Sequence, residues 1–254
     1  MFFDDHPRFM ETSSTAANRD RLNLRHEAII TANRHVFDGA RVVDIASHDG
    51  RWSCAALRAG AKHVIGIEAR QDLVDHSNEN MAHYGFSPDS YHFECGDVFD
   101  VLHDQQLRLE DADVVMCLGF FYHTLRYPEL LTGITRLNPG FLILDTAVYD
   151  STEKVVRIFS ESTGKERNAV AGPGTRNDRM LTGWPSVPAL ELMLSMWDYQ
   201  VEEYVDWSAL IGAHPDVARQ STRQYAEGNR ITARCTPGRA PRKGAAAEPT
   251  PAAP

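Results

Sequence analysis

The chain has 254 residues and a formal net charge of −9, with 43% hydrophobic and 24% charged residues. That is enough for one large domain with a full core or two small ones, in the proportions of an ordinary soluble protein. The acidic balance repels phosphate backbones, so no nucleic-acid partner is expected. No apolar run reaches membrane-spanning length, and the N-terminus lacks a signal-peptide layout, so no membrane partner is expected either. Cys54, Cys95, Cys117 and Cys235 have no metal-ligand spacing, and free thiols fit a reducing, cytoplasmic compartment. A homo-oligomer is left open.

Residues 1–17 are polar apart from Phe2, Phe3 and Phe9, a set suited to folding over something. Asn18 can cap a helix running to about Asn33, with Leu22, Ile29 and Ile30 inward. Residues 1–38 thus read as an N-terminal helical or lid segment. Arg21, Asn23 and Arg25 alternate along the helix and read as a solvated face; the alternative is that one of them meets a ligand's carboxylate.

Residues 41–68 form a βαβ unit. Val42, Val43 and Ile45 make a short β-branched run, as a buried parallel strand should. Ala46 to Gly50 is a small-residue turn, Trp52 to Ala59 is helix-like, and Gly60 stops it. Val64, Ile65 and Ile67 make a second buried strand that ends on Glu68. This pattern points to a nucleotide-type ligand. The turn permits close backbone approach, the helix start offers free N–H groups, and the terminal carboxylate can accept from ribose hydroxyls. A dinucleotide site wants G-x-G-x-x-G, but Ala46, His48 and Arg51 occupy those positions, which argues against an NAD enzyme.

Residues 71–84 read as an amphipathic helix ended by Gly85, followed by a third strand over Ser90–Glu94 and then Gly96-Asp97. An acid at that point can accept from an adenine amino group. Asp113–Leu118 is a fourth buried strand running into Gly119-Phe-Phe-Tyr-His123. Pro128 starts a helix to Leu137, Asn138-Pro-Gly140 is a turn, and Phe141–Ala147 is a fifth strand. Strands alternating with helices predict an open, mostly parallel sheet with the ligand at the strand C-terminal ends. Residues 151–183 break the rhythm with one strand-like piece, Val155–Phe159, and a Gly/Asn/Arg-rich loop, and read as a substrate-side insertion. Ser186 caps a helix, Tyr199–Trp207 alternates like a strand, and Arg230–Cys235 is the last strand. The main domain is therefore placed at 39–236. From Pro237 the composition is that of a disordered tail.

The run Asp44-x-Ala46-x-His48-x-Gly50 resembles motif I of the class I S-adenosylmethionine (SAM) methyltransferases, acid-x-Gly-x-Gly-x-Gly, with Ala and His replacing two glycines. Glu68, Gly96-Asp97 and Leu118–His123 agree with that family in order. The resemblance implies an α/β, Rossmann-like fold, a seven-stranded mostly parallel sheet with an antiparallel last strand. It implies SAM as cofactor, held by Asp44, Ala46, Ser47, Gly50, Glu68, Ala69, Gly96, Asp97, Val98, Leu118 and Gly119. Ala46, Ser47 and Gly50 would lie along the methionine and ribose part, Glu68 on the ribose hydroxyls, Asp97 on the adenine amino group, and Leu118–Gly119 at the methionyl end.

The segment Gly119–His123 is similar to tRNA wobble-uridine methyltransferases and to actinobacterial sugar and natural-product O-methyltransferases, most specifically those of methylmannose polysaccharide. The Ala/Arg-rich composition and Pro/Ala tail suit such a source. The expected reaction is O-methylation of a saccharide or glycoside-like small molecule. His123 is then the candidate general base, since imidazole is a proton acceptor near neutral pH. Asp145 could orient it, or join Asp178 and Asp206 around magnesium, a candidate second cofactor. Tyr122, Tyr149 and Trp184 could offer flat faces to a sugar, and Arg176 could meet an anionic group. The alternatives are a tRNA wobble-uridine methyltransferase and a non-catalytic SAM-binding protein.

Overall fold

A computed structural model describes residues 1–14, 18–103, 112–165, 168–217 and 220–238. Most of the tail expected from Pro237, residues 239–254, lies outside the described residues. Phe3 and Phe9, the latter on α1 (Arg8–Glu11), are fully buried, so the N-terminal aromatics do fold over the domain. Asn18 caps α2 (Arg19–His26) by accepting from the Arg21 N–H. The helix then widens into a π-helical turn, Glu27–Thr31, and α3 (Arg34–Phe37) leads into β1. Asn23 and Arg25 are buried, which overturns the solvated-face reading of this helix. Asn23 accepts from the Phe3 N–H at 2.8 Å, and Arg25 points inward to a carboxylate described below.

The βαβ unit forms as β1 (Arg41–Ile45), α4 (Arg51–Arg58) and β2 (His63–Glu68). It is followed by α5 (Gln71–His83), β3 (Tyr91–Cys95), α6 (Val98–His103), β4 (Val114–Leu118), α7 (Tyr127–Arg136) and β5 (Phe141–Ala147). The strand order, including the late strands β8 (Tyr199–Tyr204) and β9 (Arg230–Pro237), is β3-β2-β1-β4-β5-β9-β8. β1 to β5 pair in parallel, and the final strand β9 runs antiparallel to both β5 and β8. Alternation along the strands fills two cores. Val42, Val64 and Met116 face Trp52, Cys54 and the N-terminal phenylalanines. Val43, Ile67 and Cys117 face α6, α7 and α8 (Val187–Met196), the last capped by the Ser186 hydroxyl.

The rest departs from expectation. Residues 151–183 hold two strands rather than one: β6 (Val156–Ser162) pairs antiparallel with β7 (Arg179–Pro185) in a separate hairpin. β7 contains Gly183 and Pro185, which mask a strand in sequence. The glycine is needed there, because a Cβ would lie 2.5 Å from Leu125 and 2.7 Å from the Tyr127 hydroxyl. The expected strand over 199–207 stops at Tyr204, and Asp206 caps α9 (Trp207–Ala213), with α10 (Arg223–Ala226) following. Among the described residues no helix is long and apolar enough to cross a membrane.

Gly66 sits mid-strand between Asp44 and Phe93, and a Cβ there would lie 2.4 Å from the Phe93 ring and 2.7 Å from Ser47 Oγ. Gly66→Ala is therefore expected to lower stability by about 1–3 kcal/mol through overpacking under the turn, read as a fall in thermal midpoint. An unchanged midpoint would contradict the close packing of β2 on β3.

Candidate functional site

A cavity of about 550 Å³ opens at the C-terminal ends of the parallel strands, where an open α/β sheet binds its ligands. The turn after β1 forms its base. Ala46, His48 and Gly50 all have left-handed backbones, with φ of 55°, 56° and 77°. Two of them are not glycine, and each such position costs about 1–2 kcal/mol. Tertiary bonds hold the strained backbone. The Ser47 N–H donates to the Ile67 carbonyl, the His48 N–H donates to Glu68 Oε2, and the Ser77 hydroxyl donates to the His48 carbonyl, each at 3.0 Å. The motif thus keeps its glycine geometry with Ala46 and His48 in place of two of its glycines.

Beneath the turn, Asp49 is fully buried and accepts from Arg51 Nε at 2.6 Å and from the Thr12 hydroxyl at 2.8 Å. Burial would raise its pKa, but Arg51 and His48 outweigh that and hold the carboxyl well below the usual range. The His48 ring bonds to Ser14 at 2.8 Å, so the N-terminal segment is tied to the turn at two points. Asp44 is different. Burial pushes its carboxyl up to about 7 against the Ser53 hydroxyl bond at 2.7 Å, and its Oδ1 has no partner.

At the β2–β3 end of the cavity, Glu68 accepts from the His48 and Arg70 N–H groups at 3.0 and 3.1 Å, which fixes its carboxylate before any ligand arrives. Asp97 accepts from the Phe99 N–H at 2.8 Å. Arg126 lies 3.6 Å over the Phe99 ring and is anchored by Glu129 at 2.7 Å. The loop between β6 and β7 closes this end, with Asn168, Val170 and Gly172 in the cavity wall and Arg70 donating to the Asn168 carbonyl at 3.2 Å.

At the β4–β5 end, Gly119 turns with φ 98° and donates its N–H to the Asp145 carbonyl at 2.8 Å. The following turn, Phe121–His123, presents Tyr122 and His123 to the cavity. His123 Nδ1 is 2.8 Å from Glu161 Oε2 on β6. Asp145 is fully buried and receives Arg25, Arg230, Tyr225 and Thr232, with Arg230 Nε at 2.7 Å and Arg25 Nη2 at 3.1 Å. Arg21, Arg25 and Arg230 line this end of the cavity.

No family model matches the chain. A curated relative, the tRNA U34 carboxymethyltransferase of Pseudomonas fluorescens strain SBW25, is 28% identical over 174 residues, which cover 67% of this chain and 48% of that protein. The chain therefore spans about half the length of that relative. The solved N-terminal domain of EvdMO1 with SAH bound matches at TM-score 0.58 and 16% identity, covering 87% of this chain and 81% of that one, and the same domain is also known in the presence of SAH and D-fucose. An S-adenosylmethionine-dependent methyltransferase from Mesorhizobium loti matches at TM-score 0.57 and 16% identity, covering 84% and 99%. The fold is that of the class I SAM-dependent methyltransferases. The seven-stranded, mostly parallel sheet with an antiparallel last strand is the one the resemblance implied.

Mapped on the methyltransferase fold, the expected residues divide. Ala46, Glu68, Ala69, Asp97, Val98, Leu118, Gly119, Tyr122 and His123 line one cavity; Asp44, Ser47, Gly50 and Gly96 are not in its lining. Tyr149, Trp184 and Arg176 do not line it: Trp184 packs on Phe159 and Arg157 on Tyr149 in the hairpin, and Arg176 bonds to the carbonyls of its own loop. Asp145 does not orient His123, because its oxygens are taken by arginines, Tyr225 and Thr232; Glu161 is the carboxylate at the imidazole. Asp178 lies exposed in the hairpin loop, Asp206 caps α9, and Asp145 is buried with its arginines, so the three magnesium candidates are not brought together. Among the described residues no group of three His, Cys, Asp or Glu side chains could hold a metal. Glu161, Phe99, Arg126 and Arg230 were not singled out from sequence. Arg230 alone left a signal, a charge opening an apolar strand.

Asp145→Asn would leave two buried guanidiniums without their counter-charge. The expected cost is about 3–5 kcal/mol, measured by denaturant unfolding. A loss below about 1 kcal/mol would mean that the cluster is not what ties α2 and β9 to the sheet.

Proposed function

We propose that this protein is a SAM-dependent O-methyltransferase that acts on a hydroxyl of a small, sugar-like acceptor, with His123 as the general base. The observation that carries this reading is the continuity of one cavity. It joins two strand-end carboxylates suited to an adenosyl group, Glu68 and Asp97, to an imidazole at the β4 exit. When bound, SAM supplies an electrophilic methyl group whose bond to sulfur breaks with the electron pair going to sulfur. Glu68 can accept from the ribose hydroxyls, Asp97 from the adenine amino group, and Phe99 can stack on the ring. The surplus guanidinium charge around Arg21, Arg25 and Arg230 suits the carboxylate of the methionyl end. His123 takes the acceptor's hydroxyl proton as the oxygen–methyl bond forms. The acidic chain and the walled cavity favour a small molecule over a polyanion. The structural neighbour studied with D-fucose supports a saccharide.

A second reading is carboxymethyl transfer to a tRNA wobble uridine, as in the name of the curated relative. What favours it is the pairing of Arg230 with Tyr122, 3.4 Å apart, beside His123: a cationic, hydroxyl-bearing corner that could hold a carboxylate on the transferred group. Filter binding with tRNA separates the two, since the first reading expects no retention at physiological salt.

Calorimetry with SAM, SAH and NAD tests the cofactor. Micromolar binding of the two adenosyl ligands and none of NAD is expected, and Asp97→Ala should weaken SAM binding about tenfold or more. Unchanged affinity would mean the adenine end is misassigned. His123→Ala should lower kcat by about 10²–10⁴ with SAM affinity kept within a few-fold. Preserved turnover would remove His123 from the chemistry.

A further inference from the structure

We propose that Glu161 is the positioning residue for His123, holding it in the tautomer whose Nε2 faces the cavity. This rests on the reading of His123 as the base. The Nδ1–Oε2 distance is 2.8 Å, with the two side chains 15% and 22% exposed. A neutral imidazole has one N–H, and an ionised carboxylate can only accept. The proton must then sit on Nδ1, which leaves the Nε2 lone pair to take a proton from a substrate. The carboxylate also stabilises the imidazolium formed once that proton arrives. Free in solution, the ring would divide between tautomers and rotamers, and part of its population could not accept at the right atom.

Among the described residues, Glu161 is the hydrogen-bond partner of His123 Nδ1. Tyr122, on the same turn, lies with its ring centre 4.2 Å from the imidazole, and its hydroxyl is engaged by Arg230 Nη1 at 3.4 Å. Glu161 stands opposite Met180 in the hairpin register, and Met180 lines the cavity, so this rung of the hairpin borders the reaction space. The rung is also tied to the far end of the cavity. Asn168 donates to the Ser162 carbonyl at 2.9 Å, while Arg70, next but one to Glu68, donates to the Asn168 carbonyl at 3.2 Å. The segment that walls the β2–β3 end therefore delivers the carboxylate to the histidine at the other.

Nitrogen-15 NMR of the full chain labelled at histidine reads the tautomer without any acceptor, with the His123 signal assigned by its loss in His123→Ala. The Nδ1–H form is expected in the wild type, and its predominance is expected to be lost in both Glu161→Gln and Glu161→Ala. In those variants kcat should fall about tenfold or more, with SAM Kd and acceptor KM within twofold, and Glu161→Asp should restore part of the rate. Retention of the Nδ1–H form in both variants, or an unchanged kcat, overturns the proposal. Turnover surviving in His123→Ala overturns the base assignment instead, and failure of SAM to bind by calorimetry overturns the cofactor site. Each of these is seen apart from the tautomer result.

Discussion

One buried carboxylate organises this molecule. Asp145 lies within β5 with no exposed surface, and a charge there is tolerable only if it is paired and fully bonded. Arg25 reaches it from α2, Arg230 and Thr232 from β9, and Tyr225 from α10. Burial alone would raise its pKa, but Arg230 and Arg25 outweigh burial and hold the carboxyl well below the usual range. Its main-chain carbonyl accepts the Gly119 N–H, so the turn that carries Tyr122 and His123 is registered against the same residue. The N-terminal helix, the antiparallel last strand and one end of the cavity thus share a single electrostatic anchor. That is a different job from the histidine-orienting or metal-ligand role expected of it from the sequence.

What was legible in the sequence followed from local physics. β1, β2, β4 and β5 are β-branched or aliphatic runs, because both faces of the sheet are covered and no polar alternation interrupts them. Asn18, Gly60 and Ser186 mark helix ends by chemistry that needs no tertiary context. Glu68 and Asp97 were legible as cavity residues because each stands at or just past the C-terminal end of a parallel strand, where an open α/β sheet opens its cleft. The hairpin was not, since Gly183 and Pro185 read as breakers until Leu125 and Tyr127 are seen to require a bare backbone there. Nor was the Glu161–His123 contact, which joins residues 38 apart, or the Arg25–Asp145 pair, 120 apart. No periodicity carries such pairs. The motif lies between these cases. Ala46 and His48 look like a broken glycine pattern, yet the backbone is left-handed at both because Ile67, Glu68 and Ser77 bond to it.

Charge then bears on what the cavity can admit. The chain as a whole carries −9, and its field repels a polyanion approaching from solvent. Inside, the balance reverses at the β4–β5 end, where Arg25 and Arg230 meet one carboxylate and Arg21 lines the same wall. A surplus of buried guanidinium charge is stable only with a counter-anion, and a ligand that brings one gains attraction in a medium less screening than water. SAM, whose methionyl end carries a carboxylate, can offer that counter-anion. The same arrangement therefore suits an anion-bearing cofactor at this end of the cavity.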